Sequence, residues 1–459
     1  MIYGEEKMQK TEIKDFTQGN IMRQLLVFSW PLFLSNILQV VYNMVDMVIV
    51  GNKYGKVGLS AVSVGGDVTN FLTFLVIGFA NAGQVIIARY IGQGRRDKLS
   101  GFVGTMSAFL ITCAAVLSIA GLIFRTQILA LMNTPHDAFS GAMAYSTVCM
   151  SGLVFIYGYN IVSAILRGMG DSKHPFIFIS IAAVMNLVLD VVFIQLLDMG
   201  PFGAALATVI SQATSFFFCT VFLVKQRHRF ELKFALGDFT HWSGEMLADL
   251  IKLGTPMAIK SASVQVSKLF VNSWINSYGT AVSGFAGIAN KISSISNLVS
   301  AAMNTAGSSM MGQNLAAKRY DRAIGIMRSL AVVTLSVATA VSVLLVLFPD
   351  YIFRIFTKDA EVLALGGSYV PIAVLLFFGS ALRAVMNALI NGSGNTAVNF
   401  ATAILDGIVM RIGLATLFGL ALGMRHYGFW LGDALAGFTP FWVGLIFFFT
   451  GKWKKENKL

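Results

Sequence analysis

Arg167-Gly-Met-Gly-Asp171 follows one long apolar stretch of the chain, and its Gly-x-Gly pattern returns after another at residues 392–394. Further landmarks recur in the same order, displaced by roughly 220–230 residues. These pairs are Pro31 and Pro256, Tyr54-Gly55 and Tyr278-Gly279, Gly92-Gln93 and Gly312-Gln313, and Gly203-Ala-Ala-Leu-Ala207 and Gly432-Asp-Ala-Leu-Ala436. Two repeats with a substrate path between them are typical of secondary transporters. The sequence therefore predicts a duplicated membrane protein with a transport function.

The composition points to the same class of protein. Of 459 residues, 56% are hydrophobic and only 12% are charged, which is too little charge for a soluble surface. Apolar stretches of about 20 residues, long enough to cross a bilayer, recur throughout. We predict an all-α integral membrane protein with twelve transmembrane helices in two six-helix repeats. The predicted helices, numbered 1 to 12, cover roughly residues 24–51, 58–86, 101–124, 138–166, 175–197, 202–224, 250–277, 282–311, 326–348, 362–390, 397–421 and 428–451.

The net charge is +12, and the basic residues behind it are distributed along the chain in step with the predicted topology. Basic residues cluster in alternate loops, such as Arg95 and Arg96 after helix 2 and Lys318 and Arg319 after helix 8. The positive-inside rule then places both termini in the cytoplasm, and the positive charge needs no nucleic-acid partner. Because a repeat contains an even number of helices, both repeats enter the membrane in the same direction and are parallel.

The longest loop joins the two halves. We predict an N-terminal lobe at residues 1–224 (helices 1–6), a basic cytoplasmic linker at 225–249, and a C-terminal lobe at 250–459 (helices 7–12). The other loops are too short to hold a soluble domain.

Three polar side chains stand out in the apolar helices of the first half. Asp46 and Asp190 lie about five and seven residues before the outer ends of helices 1 and 5, so their carboxyl groups can meet. Asn186 lies one turn below Asp190 on the same helix face. Two carboxylates in one desolvated pocket cannot both stay charged cheaply, and their oxygens also suit a dehydrated Na⁺. The trio is a candidate site for H⁺ or Na⁺, unless each Asp caps a kink or bonds a neighbouring helix.

The second half is basic where the first is acidic. Snorkelling or local pairing is the alternative to a functional role for its basic residues. Asp67 in helix 2 and Lys291 in helix 8 occupy equivalent repeat positions with opposite charge. We predict that these two side chains pair as part of an outer gate. The charges expected at depth in the second half are Lys260, Lys268, Lys291, Arg383 and Arg411, with Asp406 as the main acid.

Taken together in order, these features resemble the multidrug and toxic compound extrusion (MATE) family of secondary transporters over essentially the whole chain. The features that carry the resemblance are Pro31 with Asp46, Gly92-Gln-Gly94, Arg167-Gly-Met-Gly-Asp171, Asn186-x-x-x-Asp190 and Gly312-Gln-Asn314. The resemblance implies two six-helix lobes in a V-shaped bundle with a central cleft, and export of organic compounds driven by entry of H⁺ or Na⁺.

The resemblance also assigns residues. Asp46, Asn186 and Asp190 match the first-lobe cation site of the DinF-like branch, and Tyr145 and Thr208 match polar residues that line the same cavity. NorM-like members carry acidic residues in helices 7 and 10 for a second-lobe cation site. Here helix 7 offers Lys260, Gln265 and Lys268, and helix 10 offers Arg383, so Na⁺ is not expected there. The other candidates for lining the substrate cavity are Lys268, Arg383 and Asp406.

The resulting prediction is a secondary active antiporter of the cell membrane, not an enzyme. It would act as a monomer in the lipid bilayer and export small organic compounds, with lipophilic cations favoured, in exchange for H⁺ or Na⁺. No cofactor other than this coupling ion is expected. The alternative is a flippase for lipid-linked precursors in the same superfamily, because a basic cleft suits a pyrophosphate headgroup.

Overall fold

The computed structural model describes residues 12–132, 134–233 and 243–455, and all regular secondary structure within these ranges is helical. The first half contains α1 (Ile21–Gly92), α2 (Leu99–Leu131), α3 (His136–Ser151), α4 (Leu153–Gly168), α5 (Lys173–Asp190) and α6 (Gly200–Lys225). The second half contains α7 (Gly244–Asn276), α8 (Thr280–Ala316), α9 (Tyr320–Leu347), α10 (Pro349–Arg354), α11 (Ala360–Ala364), α12 (Gly366–Ser393), α13 (Thr396–Ile404), α14 (Arg411–Thr416), α15 (Arg425–Ala436) and α16 (Thr439–Phe449). Short 3₁₀ turns lie at Arg96–Lys98 and Lys452–Lys454.

Each of the twelve predicted segments is helical. Helix α1 has 72 residues and contains predicted helices 1 and 2, which meet at Gly55, where the backbone leaves the helical conformation. Predicted helices 4, 10, 11 and 12 are each divided into shorter consecutive helices. By length and apolar character alone, eight described helices can cross a membrane, or nine if α3 and α4, bent by 50°, form one span. The chain is a multi-pass, all-α membrane protein.

The duplication is visible in the backbone as well as in the sequence. Left-handed residues occur at equivalent places in the two halves, namely Gly55 and Gly279, Gly94 and Lys318, and Gly170 and Gly394. Such positive φ angles mark turns where the chain reverses between helices. The repeated glycines Gly55 and Gly279, and Gly170 and Gly394, are therefore connectors of the same kind in both halves.

The two repeated prolines lie inside helices. Helix α1 begins at Ile21, so Pro31 is an interior residue and not a first-turn residue, and Pro256 is likewise interior to α7. Neither proline donates a backbone hydrogen bond. Predicted helix 8 also proves longer than expected, because α8 continues to Ala316 and includes Gln313 and Asn314.

The chain forms two compact units, and α1 contributes to both. Unit 1 comprises Met1–Phe16, Leu38–Thr73 and Ile86–Ala248, and unit 2 comprises Thr17–Ile37, Phe74–Val85 and Asp249–Leu459, as far as these ranges are described. The lobes predicted at 1–224 and 250–459 remain a prediction. Within the predicted linker at 225–249, residues 234–242 lie outside the described residues.

Wide π turns interrupt two of the membrane helices. One, Val191–Leu196, directly follows Asp190, and a second, Leu417–Ala421, lies near the equivalent place in the other half. A third, Leu405–Met410, holds Asp406 and has no counterpart in the first half. Such turns release backbone groups from the regular pattern and are frequent at functional sites. Here they flank the buried acidic residues of both halves.

The third π turn is fixed by close contacts to its neighbours. The hydroxyl of Ser267 on α7 donates to the carbonyl oxygen of Gly407. The guanidinium of Arg411 donates to Asp406 at 3.1 Å and to Asp433, so one cation holds two carboxylates. Arg411 and Asp406 are 2% and 1% exposed, which places this ion triad in the interior of unit 2. The triad links the π turn, α14 and α15.

Helices α14 and α15 approach each other closely at Gly432. A Cβ atom on Gly432 would lie 2.5 Å from the backbone nitrogen of Ala415 and 2.6 Å from the carbonyl carbon of Leu414. Only glycine permits this separation. Helix packing therefore explains why position 432, one of the repeated landmarks, is a glycine.

We expect Gly432→Ala to lower the thermal unfolding midpoint of the purified protein in detergent, because overpacking a tight contact costs about 1–3 kcal/mol. Gly413→Ala is the matched control, since a Cβ atom there meets nothing within 4 Å. That substitution should leave the midpoint unchanged or raise it, as alanine favours helix by about 1 kcal/mol. Equal midpoints for the two variants would contradict the close approach.

Arg411→Met should destabilise the protein strongly, because it leaves Asp406 and Asp433 in the interior without their cation. Removing one partner of a buried ion pair costs about 3–5 kcal/mol. The measurement is again the unfolding midpoint in detergent. Arg328→Met on the exposed face of α9 is the control and should have little effect. A midpoint for Arg411→Met equal to that of this control would refute a structural role for the triad.

Candidate functional site

Unit 1 contains two carboxylic acids that are buried next to each other. Asp46 on α1 is 4% exposed and Asp190, the last residue of α5, is 0% exposed. Their carboxyl groups are close enough to interact, as the depth of the two residues in the sequence predicted. No lysine, arginine or histidine among the described residues forms an ion pair with either one. The pair is therefore a concentration of negative charge without a protein counter-ion.

Several polar atoms around the pair have no hydrogen-bond partner within the described protein. They are Oδ1 of Asp46, both carboxyl oxygens of Asp190, and both amide atoms of Asn186, which is 2% exposed. Buried polar groups are nearly always satisfied, so a cluster of unsatisfied ones marks a functional place. Asn186 lies one turn before Asp190 on α5 and offers both a donor and an acceptor. A side-chain amide can donate a hydrogen bond to a carboxylate or accept one from a carboxylic acid.

Two further groups of unit 1 complete the cluster. The side chains of Thr208 and Tyr145 lie beside Asp46, so the structure brings these sequence candidates to the carboxyl pair. Room for the Tyr145 ring exists because residue 65 is glycine, where a Cβ atom would lie 2.5 Å from the ring carbon Cδ1. Their roles in substrate binding remain predictions.

The sequence reading missed Tyr42 and Gln212, which also belong to this cluster. Tyr42 lies near Asp46 and interacts with the side chain of Gln212. The signal was available, because Tyr42 precedes Asp46 by one helical turn and Gln212 follows Thr208 by one turn. Polar residues at that spacing share a helix face with a recognised site residue.

The donor set fits H⁺ and also fits Na⁺. A hard cation prefers oxygen ligands, and the cluster supplies carboxyl oxygens from Asp46 and Asp190 and the amide oxygen of Asn186. A proton needs only a carboxyl group whose charge is unpaired. A proton or a sodium ion would be held by these residues, whose carboxyl groups supply the negative charge.

Unit 2 contains a cavity of about 430 Å³ with a different character. Lys260, Lys268 and Arg383 reach into it from α7 and α12, and Asp406 lies at its wall. Gln265 lines it too, so the basic residues that the sequence placed in predicted helices 7 and 10 come together. Three basic groups face one acidic group, and that acid is already bound to Arg411. The cavity is cationic.

Amide side chains dominate the rest of the polar wall, and apart from Gln265 the sequence analysis did not single them out. Asn387 accepts a hydrogen bond of 2.5 Å from Nζ of Lys260, and Asn297 accepts one of 2.8 Å from Arg383. A single sequence gives no signal for amides that contact buried basic groups, because packing between helices decides which residues become their partners. The amides on this wall are Asn81, Gln265, Asn297, Asn304, Asn387 and Asn391.

The proposed gate residues are both exposed. Asp67 lies on α1 in unit 1 and Lys291 on α8 in unit 2. The hydroxyl of nearby Thr69 donates to the carbonyl oxygen of Gly65 at 3.0 Å and so does not donate to Asp67. Pairing between Asp67 and Lys291 remains a prediction.

Comparisons with known proteins agree with the fold and its duplication. The family model MatE matches twice, at residues 31–192 and 256–427. The probable multidrug resistance protein YpnP of Bacillus subtilis is 29% identical over 444 residues, with 96% of this chain and 97% of the relative covered. The probable multidrug resistance protein NorM of Thermotoga maritima is 24% identical, with 96% and 94% covered.

A solved structure supports the same conclusion for the fold. The outward-facing conformation of a multidrug resistance MATE family transporter of the MOP superfamily superposes with a TM-score of 0.89 at 22% identity, covering 98% of this chain and all of the other. Since the family model covers both halves and the relatives span nearly the whole chain, this chain belongs to the MatE family of multidrug transporters.

Proposed function

We propose that the protein is a secondary active antiporter that exports lipophilic organic compounds in exchange for H⁺ or Na⁺, with Asp46, Asn186 and Asp190 as the coupling site. The observation that carries this proposal is the buried carboxyl pair without a protein counter-ion. The multidrug relatives support the export of organic compounds.

Coupling follows from the cost of buried charge. Two carboxylates in a low-dielectric interior repel each other and have lost their hydration, so they are stable only when a proton or a cation neutralises them. The neutral and charged forms of the pair therefore favour different surroundings. An ion that binds one conformation more tightly shifts the population toward that conformation. A gradient of this ion then drives the transport cycle in one direction.

An irregular segment beside Asp190 can accommodate such a conformational change. Asp190 is the last regular residue of α5, and the wide turn Val191–Leu196 begins directly after it. Such a π turn departs from the regular hydrogen-bond pattern of the α-helix and is frequent at functional sites. Neutralisation of Asp190 thus acts beside the least regular part of its helix. This supports the assignment of the DinF-like type of coupling, through the first lobe.

The finer features of the proposal follow the charge of the chain. The clustering of basic residues in alternate loops supports a cell-membrane protein with both termini in the cytoplasm. The acidic cluster of unit 1 favours lipophilic cations, because a buried carboxylate attracts a positive partner and is released by its own protonation. Both units lie within one chain, so a monomer contains every element of the proposal.

The second candidate is a flippase for lipid-linked precursors. The observation that favours it is the cationic cavity of unit 2, since Lys260 and Arg383 would suit a pyrophosphate headgroup. Reconstituted vesicles separate the two functions, because a flippase moves labelled lipid between leaflets and the antiporter moves a soluble dye against its gradient.

Asp46→Asn should abolish ion-driven export, because the neutral amide removes the charge that the coupling ion must balance. We expect transport of a lipophilic cationic dye in proteoliposomes to fall at least about a hundredfold, while the variant stays folded and inserts normally. Asp137→Asn is the matched control, since it removes an exposed carboxylate at the start of α3. Export at the wild-type rate by well-folded Asp46→Asn would sink the coupling proposal.

Separately imposed gradients identify the ion and the substrate class. We expect an outwardly directed H⁺ or Na⁺ gradient to drive uptake of cationic dye into vesicles, and an inward gradient to drive its export from cells. In both assays the rate should be several times that seen with an uncharged dye of similar size. Transport that persists without either gradient would argue against antiport. Transport of anionic dyes alone would contradict the preference for cations.

A further inference from the structure

We infer that the cavity of unit 2 is a binding site for the anionic group, a carboxylate or a phosphate, of an amphiphilic compound. The site is distinct in its residues from the carboxyl pair of unit 1 and is opposite to it in charge. It goes beyond the proposed coupling function and is open to a test that needs no ion gradient.

The charge balance of the cavity is the first argument. Lys260, Lys268 and Arg383 line it, and within the described part of the chain none of them has a carboxylate at ion-pair distance. The nearby acids are already engaged, because Asp406 and Asp433 are both bound to Arg411. Uncompensated cations deep in a membrane protein are costly and mark ligand paths. An anionic ligand would supply the missing negative charge.

The hydrogen bonding of the basic groups is the second argument. Lys260 donates to the amide oxygen of Asn387, and one terminal nitrogen of Arg383 donates to Asn297 and to the hydroxyl of Ser380. These neutral contacts hold the side chains in position without cancelling their charge. An ammonium and a guanidinium keep further N–H donors, and the guanidinium matches the paired oxygens of a carboxylate or a phosphate.

The shape and the apolar part of the wall define the rest of the ligand. A volume of about 430 Å³ lies within the range of small-molecule sites, which is about 300–1,000 Å³. The apolar wall lies on α1, as Phe74 and Ile77, and on α7, as Met257 and Val264. Methionine and aromatic side chains adapt to ligands of different shape. A compound with one anionic head and a compact apolar body satisfies both walls.

The same wall places a tight helix contact beside the cavity. A Cβ atom on Gly78 of α1 would lie 2.4 Å from Cα of Ala258 on α7, so the two backbones touch there. Both residues belong to unit 2, and Gly78 also lines the cavity. This close contact fixes the apolar wall against the helix that carries Lys260 and Lys268. The cavity is thus built by the fold and is not an accident of loose packing.

The test uses three dansyl compounds that share one fluorescent body. Dansylglycine carries a carboxylate, its primary amide is neutral, and a dansyl compound with a trimethylammonium group is cationic. Binding to the full-length protein in phosphatidylcholine nanodiscs is followed by the rise in dansyl fluorescence. We expect dansylglycine to bind at least about tenfold more tightly than the other two compounds. Equal affinity for all three, or tightest binding of the cation, would overturn the proposal.

Variants connect the binding to the cavity. Lys260→Met and Arg383→Gln should each weaken dansylglycine at least about tenfold and leave the neutral amide nearly unchanged, because only the carboxylate contacts the lost charge. Lys260→Arg keeps the charge and should retain most of the preference, which separates a charge effect from misfolding. Lys252→Met, on an exposed part of the same helix, is the matched control. Undiminished carboxylate binding in both cavity variants would also overturn the proposal.

Competition identifies the source of the anionic group. Phosphatidylglycerol in the nanodisc is the first competitor. If it displaces dansylglycine from the wild type, and the bulk charge of the bilayer surface does not account for the displacement, the head of an anionic lipid occupies the site. If inorganic phosphate or a soluble carboxylate amphiphile displaces it and the lipid does not, the site serves soluble compounds. Both results support an anion site. Failure of all three competitors would contradict it.

Discussion

The cost of placing charge inside a bilayer is the constraint on which the rest of this structure depends. Each half resolves it differently. Unit 1 leaves Asp46 and Asp190 adjacent, buried and without a protein cation, with carboxyl oxygens that have no hydrogen-bond partner among the described residues. Unit 2 neutralises Asp406 internally through Arg411 and keeps an excess of basic groups around its cavity. The buried charges that the protein does not balance for itself are the ones available to ions and ligands.

The two halves share the backbone conformation of their connectors but differ in their buried charges. Positive-φ connectors at Gly55 and Gly279, and at Gly170 and Gly394, show that the helices of both halves reverse at the same points. A connector needs a conformation, which glycine supplies in any environment. A buried charge needs a partner, so it changes together with its surroundings. The connectors therefore recur in both halves, whereas the buried charges differ between them.

Irregular helix geometry occurs beside a buried acidic residue in both units. Regular helix satisfies its own backbone and leaves little freedom, whereas a π turn widens the helix and frees backbone groups. Asp190 precedes one such turn, and Asp406 lies within another that Ser267 and Arg411 hold in place. The first turn borders unsatisfied carboxyl oxygens, whereas the second is tied to its neighbours. The proposed coupling site therefore borders the less constrained of these two turns.

The sequence by itself determined the membrane class, the twelve helical segments, the duplication and the residues Asp46, Asn186 and Asp190, because hydropathy, glycine connectors and isolated charges are local signals. Depth along a helix was sufficient to predict that Asp46 and Asp190 meet, since they lie at similar distances from the ends of their predicted helices. Only the tertiary structure decided that Arg411 binds both Asp406 and Asp433, which leaves Lys260, Lys268 and Arg383 unbalanced around one cavity. It also revealed Tyr42, Gln212 and the asparagines Asn297 and Asn387 as neighbours of the charged groups. Partners on different helices are chosen by packing across the bundle, and that information is spread over contacts between distant parts of the chain.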